Sequence, residues 1–91
     1  MLNFKQMELS RMLFRKLKEK FPEIELINIT PTAYNPDSIW VNIIYPEDED
    51  REIELGEMAS EITTDILLDY GYNILISPEE RIGEHVTQQE I

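Results

Sequence analysis

A chain of 91 residues with 42% hydrophobic content, 3 Gly and 5 Pro is one small folding unit, too short for two cores and too apolar for wholesale disorder. It has no cysteine, which excludes disulfides, thiolate nucleophiles and thiolate metal sites and suits a reducing cytoplasm. The net charge of −11 is split into +4 on residues 1–20 and −15 on the remainder, so most of the surface would repel a phosphate backbone. Nucleic acid is thereby disfavoured as a partner, and a basic protein is favoured, although a strongly charged surface also serves plain solubility.

Met1 to Glu8 interleaves polar and apolar residues without a continuous apolar core, so neither a signal peptide nor a membrane span is expected there. Asn3 is placed as an N-cap with Gln6 three residues on, and Leu2 and Met7 stand at the two positions of a hydrophobic staple. The first helix is predicted to start at Phe4. Leu2, Met7, Leu9, Leu13, Phe14, Leu17 and Phe21 fall within an arc of roughly 160° at helical spacing, which makes one buried face. Lys16, Lys18 and Lys20 crowd the last turns, where cations favour the helix dipole, and Phe21-Pro22 ends the helix.

Ile24 to Ile29 has strand composition without clean alternation, which predicts a strand covered on both faces. Thr30 to Asp37 contains two prolines and reads as a loop at the sheet edge. Ser38 to Tyr45 is a second, central strand, with Ile39, Val41, Ile43 and Tyr45 on one face and Trp40, Asn42 and Ile44 on the other. Tyr34, Trp40 and Tyr45 would suit base stacking, but large aromatics at a central strand are expected in the core.

Pro46 stops that strand, and Glu47-Asp48-Glu49-Asp50 places carboxylates at the positive end of the next helix. This helix is predicted over Glu52–Tyr70, with Leu55, Met58, Ala59, Ile62, Ile66 and Tyr70 as its apolar stripe. A competing reading gives Glu52 to Leu55 to a short extra strand and starts the helix near Gly56. Gly71 terminates the helix, and Tyr72 to Ile76 is the third strand. If it runs parallel to the second strand, the crossover should be right-handed. Ser77-Pro78-Glu79-Glu80 has the spelling of one more helical turn, closed by Gly83, and residues 84–91 read as a loose polar tail. The expected architecture is a single α+β domain over residues 1–83, ordered helix-strand-strand-helix-strand, with a mixed three-stranded sheet and two helices packed on it.

Glu57, Glu61, Asp65 and Asp69 recur every four residues on the second helix, where like charges cost a few tenths of a kcal/mol per pair and invite a basic partner. The Glu47–Asp50 turn lacks the glycine of a calcium loop and is followed by Arg51, so no metal is expected. His85 is the single histidine and lies in the polar tail, and the three glycines are too far apart to form a phosphate-cradling loop. No cofactor is expected.

From Phe21 to Glu80 the chain resembles the minimal nucleotidyltransferase domains related to the antitoxin partners of HEPN toxins. Asn35 to Pro46 is similar to that family's approach to and passage through its second strand. Leu67 to Glu80 looks like its helix end, third strand and following turn. The family places a Gly-Ser pair after the first strand to hold phosphates and two acids on the second strand to hold magnesium. Ile29-Thr30 stands at the first place, and Ser38 and Trp40, or Asn42 and Ile44, at the second. The resemblance therefore implies a degenerate member without transferase activity that retains partner binding. The first functional expectation is a non-catalytic module that uses Glu57, Glu61, Asp65 and Asp69 to bind a basic protein or self-associates. The second is a nucleotide-binding domain that uses Thr30, Asp37, Ser38 and Asn42.

Overall fold

Asn3 opens the first helix, α1 (Phe4–Lys20), through a complete capping box: its Oδ1 accepts from the Gln6 amide at 2.7 Å, and Gln6 Oε1 accepts from the Asn3 amide at 2.9 Å. The computed structural model describes residues 2–32, 35 and 37–79. At the far end of α1 the Phe21 amide bonds the Leu17 carbonyl at 2.8 Å. Lys18 goes beyond a dipole role, since its ammonium donates to the carbonyls of Pro22 and Ile24. Leu9, Leu13 and Leu17 face the core, while Met7 and Phe14 are half-buried on one flank. Gln6 and Ser10, polar residues that fall within the apolar arc at helical spacing, are buried as well.

The remaining elements are β1 (Glu25–Pro31), β2 (Ser38–Ile44), α2 (Glu49–Tyr70) and β3 (Asn73–Pro78). The sheet order is β1-β2-β3, with β2 antiparallel to β1 and parallel to β3, so this is the expected mixed α+β architecture with β2 at its centre. Alternation decides which face of β2 is covered: Ile39, Val41 and Ile43 are fully buried together with Ile74 of β3 and Leu55 of α2. Burying side chains of this size is worth about 1.5–3 kcal/mol each.

Four expectations about the sheet need correction. β1 is an exposed edge strand rather than one covered on both faces, with Leu26 37% and Ile27 48% exposed. The register shifts between Leu26 and Asn28, and this bulge leaves Ile27 unpaired and breaks the alternation. Because an edge strand tolerates proline, Thr30 and Pro31 belong to β1 rather than to the loop. For the same reason Ser77 and Pro78 extend β3 instead of opening a helical turn: Pro78 pairs with Ile43, and the Glu79 amide supplies the bond to the Ile43 carbonyl at 2.9 Å. Trp40 is not a core residue, since it sits 37% exposed on the sheet face opposite the Ile39, Val41 and Ile43 row. Tyr34, Gly83, His85 and the tail at 84–91 lie outside the described residues.

α2 starts three residues before the expected Glu52, and no strand forms at 52–55. Asp48 is its N-cap, accepting from the Arg51 amide at 3.3 Å, and Glu49, Asp50 and Glu52 occupy the first turn. Leu55, Ala59 and Ile66 are buried, Met58 and Ile62 half-buried, and Tyr70, the last of the predicted stripe, is 49% exposed. Gly71 closes the helix at φ +78°, its amide bonding the Leu67 carbonyl at 2.9 Å.

The two helices run antiparallel in one layer. At one end the Lys5 ammonium lies 5.2 Å from the centre of the Tyr70 ring. At the other Arg51 of α2 pairs with Glu23, donates to the Lys20 carbonyl at 3.0 Å and stacks 4.9 Å from the Phe21 ring centre. Among the described residues, no helix is long and apolar enough to cross a membrane.

Candidate functional site

α2 carries eight acids and one base between Glu49 and Tyr70, whereas α1 carries six bases and two acids between Phe4 and Lys20. The four carboxylates spaced by four do not share one environment. Each step of four residues advances about 40° around a helix, so the row winds across the surface. Glu57 and Glu61 stand on the side away from the buried Leu55, Ala59 and Ile66, facing outward. Asp65 and Asp69 have turned toward α1, where with Met12, Lys16, Ile62, Ile66 and Tyr70 they line a cavity of about 270 Å³. The helix therefore presents an outward acidic pair and a second pair beside a lysine.

The outer side of α1 is the counterpart. Phe4, Arg11 and Arg15 lie opposite the buried Leu9, Leu13 and Leu17, and with Leu2, Asn3, Met7 and Glu8 they line a cavity of about 490 Å³. Among the described residues, Arg11, Arg15, Glu57 and Glu61 form no ion pair, whereas Lys5 pairs with Glu8 and Arg51 with Glu23. The Glu8 carboxylate holds the Lys5 ammonium above its ordinary pKa through their hydrogen bond. Phe4 is 82% exposed and Leu68 77%, on the outer sides of α1 and α2. Sequence reasoning named neither as a surface residue, although Leu68 falls outside the helical stripe and Phe4 outside the buried arc.

Of the residues considered for nucleotide binding, Thr30 and Asn42 are brought together. Asn42 Nδ2 donates to Thr30 Oγ1 at 3.2 Å and to Asn28 Oδ1 at 2.6 Å, forming a small polar ladder across β1 and β2 on the sheet face opposite the Ile39, Val41 and Ile43 row. Ser38 lies at the other end of β2, buried, and its hydroxyl accepts from Asn73 Nδ2 at 3.3 Å. Asp37 is exposed in the turn before β2, and its amide bonds Asn35 Oδ1 at 2.9 Å. This face thus carries an indole, two amides and the Thr30 hydroxyl, with Asp37 apart from them in the turn before β2.

Arg51 completes the polar map. Its side-chain hydrogen bond to Glu23 lowers the Glu23 pKa and raises its own, joining the start of α2 to the turn after α1. Burial raises the pKa of the half-buried Tyr45 hydroxyl, with the Glu52 carboxylate adding to the effect. Compared with protein-family models, curated proteins and solved structures, the chain matches none.

Proposed function

We infer that this protein is a non-catalytic interaction module that offers the outer face of α2 to a basic protein surface or to another copy of itself. The observation that carries the reading is the exposed acidic pair Glu57 and Glu61, without ion-pair partners among the described residues, beside the almost fully exposed Leu68. An apolar side chain set among unpaired charges of one sign suits a partner that brings both an apolar contact and the opposite charge. In the experiment that tests this, a fluorescent Lys/Arg-rich amphipathic peptide is titrated into the native protein and into a Glu57→Gln/Glu61→Gln variant. The native protein should bind, and the variant should bind at least about tenfold more weakly, the order expected for loss of both rim charges. Equal affinity for the two proteins would remove the assigned face.

A second reading, nucleotide binding by a degenerate nucleotidyltransferase-like domain, draws on the exposure of Trp40 on the same sheet face as Thr30 and Asn42. An indole is a stacking platform, and the neighbouring amide and hydroxyl are hydrogen-bonding groups. An amide NMR titration with magnesium and ATP, with magnesium alone as control, tests it. Saturable shifts confined to residues 30–42 support the reading, and an unmoved spectrum removes it for ATP.

A further inference from the structure

We propose that the partner of the acidic face is a second copy of this chain, held in an isologous dimer in which α1 of each copy lies over α2 of the other. This rests on the reading of α2 as an interaction face and assigns its occupant.

Charge chooses the symmetry axis. α1 and α2 are antiparallel neighbours in one layer, with Lys5 beside Tyr70 at one end and Arg51 beside Phe21 at the other. A two-fold axis in the interface plane and across the helices would set α2 on α2, juxtaposing Glu57 and Glu61 with their own copies. An axis parallel to the helices sets each basic α1 on an acidic α2, antiparallel to it, and does so twice by symmetry.

The sequence then supplies a register. Both helices rise by the same amount per residue, so an antiparallel pair that places Phe4 against Leu68 of the second copy brings Glu8 opposite Thr64, Arg11 opposite Glu61 and Arg15 opposite Glu57. The two most exposed large apolar side chains meet, and both arginines without an ion pair among the described residues meet carboxylates in the same condition. Glu8, the acid in the α1 row, faces a neutral threonine and is already paired with Lys5 at 3.0 Å. The cavity of about 490 Å³ lined by Leu2, Phe4, Met7 and the two arginines receives the leucine.

Size sets the strength. Overlapped along the about 25 Å length of α1, two helices each about 10 Å wide cover about 500 Å² per copy, at the low end of specific interfaces. The dimer is therefore a micromolar one that weakens as salt is added.

Sedimentation velocity on the full chain from about 1 to about 200 µM, a range that spans micromolar association, tests this. The native protein should pass from monomer to dimer. Arg11→Glu/Arg15→Glu and Glu57→Arg/Glu61→Arg, each shown to be folded by circular dichroism, should each dissociate at least about tenfold more readily, because reversal makes both symmetric contacts repulsive. An equimolar mixture of the two variants should recover native association, since both contacts in the heterodimer are again between opposite charges. A native protein that stays monomeric, or a mixture that stays dissociated, overturns the proposal. A dimer indifferent to both reversals overturns it too, by placing the contact elsewhere. If the native chain is monomeric yet binds the basic peptide through Glu57 and Glu61, the interaction reading stands and the second copy is excluded as occupant; if it does neither, both readings fall.

Discussion

A methyl group added at Gly56 meets open space within 4 Å, whereas one added at Gly71 has equally open space but a backbone at φ +78°. The same substitution should therefore have opposite signs at the two sites. Gly56→Ala removes the entropy cost of glycine in a helix interior and should stabilise the fold by about 1 kcal/mol. Gly71→Ala must adopt a left-handed conformation and should destabilise it by about 1 kcal/mol. Urea unfolding of both variants checks this, and equal signs would contradict the geometry. Arg51 gives a pH-dependent prediction at the same scale. Its hydrogen bond lowers the Glu23 pKa in the folded protein, so this pair stabilises the fold above the ordinary carboxylate range and the contribution is lost as pH falls through it. Glu23→Gln should show a shallower loss of thermal stability between neutral pH and about pH 3 than the native protein. An unchanged slope would mean the pair contributes nothing in solution.

At the level of elements, burial separates two leucines that composition treats alike. Leu13 of α1 is fully buried and Leu26 of β1 is 37% exposed. Leu13→Ala should cost about 2–5 kcal/mol through lost burial and the cavity left behind, and Leu26→Ala less than about 1 kcal/mol. Chemical denaturation of the pair decides whether β1 is the exposed edge described above. The two helices, the central strand and the glycine stop were legible because caps, a 3.6-residue stripe and strict alternation are local signals. The state of β1 was not, since a bulge at Ile27 is set by pairing with β2 and leaves no mark in a run of apolar residues. Nor was the extension of β3 to Pro78, which depends on proline sitting on an outer strand with its missing donor turned away from β2. In the candidate site the spacing of Glu57, Glu61, Asp65 and Asp69 was readable. Their division into an outward pair and a pair facing Lys16 required knowing where α1 lies.

Across the whole molecule, the charge asymmetry of the sequence becomes two adjacent helices of opposite sign. Within one copy they meet at the Lys16 and Asp65 cavity, and their outer faces remain available for the same complementarity between copies. The Arg51 and Glu23 contact joins residues 28 apart in sequence, which is why no local pattern announced it.

The placement of β2 between an antiparallel and a parallel neighbour also fixes an order in time. β1 and β2 are joined by the short segment 32–37 and can pair almost locally. β3 reaches β2 only across the whole of α2: Asn73 and Ser38, which touch in the sheet, are 35 residues apart. Closing that distance before any contact rewards it is entropically costly, so the hairpin should form early and β3 should dock once α2 has shortened the gap. The bond from Asn3 to the Tyr72 hydroxyl, spanning 69 residues, can close only after that docking.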